Sequence, residues 1–156
     1  MDLIDYKLLD QLQRDVTTPI TKLAEMVNLS ATPCWRRIQR FDTDGIVIGR
    51  VALLDAKLLG VGVTVFVSIK TSQHSQEWFE KFKRTVEEIP EVLEFYRMSG
   101  SVDYLLRVVV KDIDSYDAVY KRLIANMDLS DVSSSFAMEQ LKFTTALPLP
   151  ASVADR

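Results

Sequence analysis

The apolar side chains of this chain change their period part-way along. Between Ile4 and Phe41 they recur every three or four positions, whereas Val61, Val63, Val65, Val67 and Ile69 fall on every second one. A helix repeats every 3.6 residues and a strand every two, so one element type cannot serve both stretches. The pattern predicts an α+β chain of two domains, helical over 1–60 and mixed over 61–156. With 156 residues and 47% hydrophobic content, the chain can build two small cores.

In the first part, Ile4, Leu8, Leu9 and Leu12 lie at helical spacing behind the acidic start Asp2 and Asp5, which predicts a first helix from about Asp2 to Arg14. Thr21 is positioned to cap a short second helix with Leu23, Ala24 and Val27 inside, and Asn28 suits the left-handed residue that closes it. Ser30 or Thr32 caps a third helix ending near Phe41, with Pro33 in the first turn, where a missing N–H costs little. Ala31, Cys34, Trp35, Ile38 and Phe41 form its expected inner face, and Thr32, Arg36, Arg37 and Arg40 its outer one. Ile46 to Leu54 is β-rich and reads as a linker strand.

The second part alternates along Val61–Lys70 as a strand with two different faces. A helix capped by Ser75 follows, carrying Trp78, Phe79, Phe82, Val86 and Ile89 and ending at Pro90. Strands over Val92–Met98 and Tyr104–Val110 enclose the turn from Ser99 to Asp103. Asp114 is the expected cap of the next helix, and a last strand runs from about Val132 to Phe143. The order βαββαβ is that of a ferredoxin-like unit.

A formal net charge of −3 excludes attraction to nucleic acid through bulk charge, so contact with DNA requires a local patch. Residues 30–41 supply one, with Arg36, Arg37 and Arg40 and no acid. A helix fits the DNA major groove, and an arginine fork can span the O6 and N7 acceptors of guanine. Ser30, Thr32, Pro33, Arg36 and Arg37 lie at the end that meets bases, while Arg40 and Lys22 are placed for phosphate. Cys34 is the sole cysteine and His74 the sole histidine, so neither a disulfide nor a Cys/His zinc site can form within the chain. Cys34 lies on the apolar stripe and reads as a small buried hydrophobe. The longest nearly uncharged run, Leu58–Ile69, is too short to span a bilayer, and the acidic N-terminus is unlike a secretory signal, so the expected location is the cytoplasm, away from membranes. Without a catalytic constellation or phosphate-cradling loop, the chain is not expected to be an enzyme.

Three motifs in order, Ser30-Ala31-Thr32-Pro33-Cys34-Trp35-Arg36-Arg37, Gly100-Ser101-Val102-Asp103-Tyr104-Leu105 and Met138-Glu139-Gln140-Leu141-Lys142, resemble the Lrp/AsnC ("feast/famine") transcriptional regulators. The resemblance implies a winged-type three-helix helix-turn-helix domain, a linker strand and a ferredoxin-like domain. It also implies double-stranded DNA as partner, no cofactor, and a free amino acid as effector at a dimer interface. Gly100 would let backbone amides approach the amino acid's carboxylate, and Asp103 would take its ammonium. Arg97, Met98, Tyr104, Ile113, Ser134, Ser135 and Phe136 match positions that line the family's pocket. Arg97 and Phe136 depart from the smaller aliphatic residues of leucine-sensing relatives. The tail from Ser134 to Glu139 resembles a subgroup with cysteine-responsive members, which makes cysteine the first candidate, ahead of other small or polar amino acids. Members form dimers and assemble into tetramers, octamers or hexadecamers. An effector-independent DNA-architectural protein, whose second domain only oligomerises, is the alternative.

Overall fold

A computed structural model describes residues 1–125 and 127–150 and divides the chain into two compact units, Leu53–Gln140 and a unit combining Met1–Ala52 with the chain from Leu141 on. The expected boundary is at residue 60 with the tail in the second domain; by compactness the division falls after Ala52, and described residues 141–150 group with the helices.

The first unit holds α1 (Leu3–Leu12), α2 (Ile20–Met26) and α3 (Ala31–Thr43). Asp2 and Asp5 make a reciprocal cap on α1, each carboxylate accepting the other residue's backbone N–H at 2.9 Å. Pro19, not Thr21, is the N-cap of α2, so Thr21 lies inside the helix and no side chain caps it. Asn28 closes α2 at φ 54°. Its N–H bonds to the Glu25 carbonyl and that of Leu29 to the Ala24 carbonyl, a complete Schellman closure. Gly45, at φ 69°, ends α3 the same way, with the Ile46 N–H on the Phe41 carbonyl. Ser30 is the N-cap of α3, without a side-chain bond. The three helices bury Leu8, Leu9, Leu23, Ala24, Val27, Cys34, Ile38 and Phe41, with Leu149 of the tail packed alongside. Trp35 is 53% exposed and lies outside this core, contrary to its expected inner position. One residue turns a helix by about 100°, which carries Trp35 past the arc occupied by Cys34, Ile38 and Phe41.

The second unit is a four-stranded antiparallel sheet in the order β2-β3-β1-β4, from β1 (Val63–Lys70), β2 (Val92–Arg97), β3 (Tyr104–Val110) and β4 (Asp131–Phe136). The connecting helices α4 (Gln76–Glu87) and α5 (Ile113–Ile124) pack on one face, burying Val65, Val67, Ile69, Leu106, Val108 and Val110 beneath Phe82, Val86, Tyr116, Val119 and Leu123. This is the ferredoxin-like arrangement. Several positions differ from expectation. The cap of α5 is Asp112, whose carboxylate accepts the Ser115 N–H at 2.8 Å, so Asp114 lies in the first turn. β4 ends at Phe136, and its run along β1 closes with the Ala137 N–H on the Thr64 carbonyl. Residues 46–54 form no strand, since no described residue offers them a ladder.

Candidate functional site

The three arginines of α3 lie in two different environments. Arg37 Nη1 bonds Asp2 Oδ2 at 2.8 Å and Asp5 Oδ1 at 2.7 Å, and Arg40 Nη2 bonds Asp5 Oδ2 at 2.8 Å. Asp5 is only 1% exposed, so both oxygens of a buried carboxylate are given to α3. Burial opposes ionisation of Asp5, but the Asp2 N–H and Arg37 outweigh it and hold its pKa below the ordinary value. The Asp5 N–H, followed by Arg37, holds Asp2 low in the same way. Arg37 therefore does not stand free on the outer face as expected, and Arg40, although half exposed, is tied at its head. Arg36 is exposed and makes no ion pair among the described residues. Ser30, Thr32, Pro33 and Gln39 are exposed along the same helix, and Lys22 is exposed on α2.

The pairing of Asp5 with α3 was not visible in the sequence. Asp2 and Asp5 are legible as an acidic helix start, but nothing in the pattern joins them to cations more than thirty positions later.

The candidate effector residues fall at opposite ends of the sheet. At one end the Met98 N–H meets the Asp103 carbonyl at 2.8 Å, and the Asp103 N–H reaches the Ile69 carbonyl at 2.9 Å. Asp103 Oδ2 also accepts the Thr71 N–H at 2.9 Å, which fastens the hairpin to the end of β1. Gly100 sits in this turn at φ 122°, a conformation that strains a residue with a Cβ. Arg97, Met98 and Gly100 are exposed there, and Asp103 is half-buried. Tyr104 is buried beneath the helices, its ring 5.3 to 6.1 Å from those of Trp78, Phe79, Phe82 and Phe95. It belongs to the core rather than to an open pocket within this chain.

Phe136, opposite Val65, and Ile113, just beyond the β3 end that pairs with Val63, mark the other end. Six residue steps along β1 separate Val63 from Ile69, or about 20 Å. Phe136 meets Tyr116 edge-on at 5.3 Å, the Tyr116 hydroxyl bonds Ser134 Oγ, and Ile113 is exposed. Ser135 alternates to the opposite face, beside Phe66. That face carries Phe66, Leu105, Arg107, Tyr96 and Glu94, opposite the side on which α4 and α5 pack. Among the described residues no group of three or more His, Cys, Asp or Glu could hold a metal ion, and no helix is long and apolar enough to cross a membrane.

Residues 1–41 match the model of the AsnC-type helix-turn-helix domain, and residues 64–147 that of the Lrp/AsnC ligand binding domain. The chain belongs to the Lrp/AsnC family of DNA-binding transcriptional regulators. It is 56% identical over 150 residues to the DNA-binding transcriptional activator DecR of Escherichia coli K12, covering 96% of this chain and 99% of DecR. It is 49% identical to the glutamate uptake regulatory protein of Zymomonas mobilis, over 96% of this chain and 92% of that one. Among solved structures, an AsnC family regulator of Agrobacterium tumefaciens superposes with a TM-score of 0.91 at 59% identity, covering 95% and 97% of the two chains. A Neisseria meningitidis regulator in complex with L-Met superposes at 0.88 with 32% identity, covering 95% and 96%. As an Lrp/AsnC protein, the chain carries its AsnC-type helix-turn-helix domain over α1 to α3 and its ligand-binding domain over the four-stranded sheet.

Proposed function

We propose that this chain is a cytoplasmic regulator, without a catalytic step of its own, that reads DNA with α3 and is modulated by a free amino acid held between two copies of its sheet domain. On α3, Ser30, Thr32, Pro33 and Arg36 face the bases and Lys22 meets phosphate. The turn with Gly100 presents backbone amides to the amino acid's carboxylate, and Asp103 takes the ammonium.

The observation that carries the effector reading is the separation of the two candidate sets. The turn and the Ile113/Phe136 end lie at opposite ends of β1. A two-fold pairing through the open face would set the turn of one copy against the far end of its partner. Arg97, Met98 and Asp103 from one copy would then meet Ile113 and Phe136 from the other, with Ser135 on the shared face. The L-Met bound to the Neisseria relative supports the chemical class of effector. Arg97 gives the pocket a cation beyond what an aliphatic side chain needs, which favours a small or polar amino acid; cysteine comes first because the tail from Ser134 to Glu139 resembles the cysteine-responsive subgroup.

A thermal-shift panel over the amino acids tests this. Ligand at about 100 times its dissociation constant stabilises by about 2.7 kcal/mol. One or a few amino acids should raise the melting temperature, and Asp103→Ala should abolish the shift. A flat panel overturns the effector reading in favour of an architectural DNA-binding protein.

A further inference from the structure

We infer that Asp5, assisted by Asp2, is a positioning residue that withdraws Arg37 and Arg40 from DNA, leaving a reading ridge of Thr32, Trp35, Arg36 and Gln39. The inference rests on α3 being the reading helix.

Helix geometry supplies the first part. At about 100° per residue, Thr32, Trp35, Arg36 and Gln39 fall within an arc of about 100° on the side away from Cys34, Ile38 and Phe41. Arg40 and then Arg37 lie further round, toward the edge where α1 begins. All four ridge residues are exposed, and their chemistry differs along the ridge. Arg36 is a free fork for guanine, Gln39 an amide that can pair with the N6 and N7 edge of adenine, and Trp35 an apolar plane for a thymine methyl. A large aromatic side chain more than half exposed, on a helix that buries Cys34, Ile38 and Phe41, is accounted for by this role.

Electrostatics supplies the second part. The Asp5 carboxylate is almost wholly buried and both its oxygens are occupied, Oδ1 by Arg37 and Oδ2 by Arg40 and the Asp2 N–H. Asp2 closes on Arg37 from the outside. Two acids thus oppose two arginines, and the hub contributes no net positive charge. Arg37 and Arg40 are spent on fixing α3 to α1. A phosphate approaching them must compete with a carboxylate already in place. A helix rich in arginine is thereby kept from binding every duplex alike.

The test uses the full chain and a randomised double-stranded DNA library, followed by titration of the selected duplex at several salt concentrations. Each added phosphate contact steepens the slope of log K against log salt by about 0.9. Asp5→Asn should leave the selected sequence recognisable, steepen that slope by about 1 to 2 and narrow the ratio of specific to non-specific affinity. Adding Arg37→Ala and Arg40→Ala to Asp5→Asn should restore the parental slope, which a merely structural role of Asp5 would not do. Asp2 is half exposed, so Asp2→Asn provides a variant that keeps the core intact if Asp5→Asn does not fold; it should steepen the slope by about 1 or less. Trp35→Ala and Gln39→Ala should each erase preference at one or two base positions without changing the slope. Parental slopes in both carboxylate variants, or selection of the parental sequence by both ridge variants, overturn the inference. Arg36→Ala is the control. If it alone alters the selected sequence, the ridge assignment fails while α3 remains the reader; if it too selects the parental sequence, the assignment of α3 fails as well.

Discussion

Single residues carry two ionisation effects that solution measurements can read. Asp5 and Asp2 both have pKa values lowered in the folded state. A carboxylate depressed by folding stabilises the fold above its unfolded value, about 3.9, and that contribution is lost as pH falls through the folded value. The thermal stability of the wild type should therefore fall below about pH 4, and Asp5→Asn should be less stable at neutral pH yet flatter over the acid range. An acid limb of equal steepness in both proteins would show that the hub does not govern it. Cys34 behaves in the opposite sense. Burial raises its thiol pKa, against a smaller pull from Arg37, and the side chain has no exposed surface. The native protein should resist thiol-modifying reagents at neutral pH and react once denaturant opens the first unit. Rapid modification of the folded chain would contradict the burial.

Elements form where local pattern and packing agree. The alternation of β1, the Ser75 cap and the span of β3 were legible because each depends on neighbours in sequence. The closure at Asn28 was legible for the same reason, since left-handed positions select few residue types. What escaped depends on residues far away in the chain. β-rich composition in 46–54 suggested a strand, but a strand requires a ladder partner. Trp35 has the polarity of a core residue and the wrong angle for it. The tail is the clearest case. Gln13 Nε2 donates to the Leu147 carbonyl at 2.9 Å, and Gln13 Oε1 accepts the Leu147 N–H at 2.8 Å, a paired bond across 134 positions. With Leu149 against the helical core, the tail straps the end of α1. Gln13→Ala should cost about 1 kcal/mol or less, because the bonds are exposed. Truncation after Phe143 removes the Leu149 contact too and should speed amide exchange at the C-terminal end of α1. Unchanged exchange there would show that the tail adds nothing to the helical unit.

At the scale of the whole molecule the proposed pairing through the open face of the sheet would couple DNA reading to effector binding. α4 and α5 cover one side, and the other presents Phe66, Leu105, Tyr96 and Val109 around the Glu94–Arg107 ion pair, at 2.6 Å. An uncovered sheet face with apolar side chains at its centre favours a second copy. The Arg107 hydrogen bond holds the Glu94 carboxyl below its ordinary pKa, so this polar centre would enter such an interface already paired. Pairing through it would give one assembly two copies of α3, and where both reach one duplex the second contact is intramolecular once the first is made. Phe66→Asp puts an unpaired charge at that centre. Sedimentation at micromolar concentration should then report a monomer, and affinity for a two-site duplex should fall by a factor of 100 or more, as expected when linkage between two readers is lost. Affinity for a single half-site should stay the same, because α3 and its hub are untouched. The amino-acid thermal shift should vanish as well, since within one copy the two halves of the proposed pocket lie at opposite ends of β1. A dimer that persists with Phe66→Asp would place the interface elsewhere, while a monomer that still gives the thermal shift would confine the effector to one chain's turn.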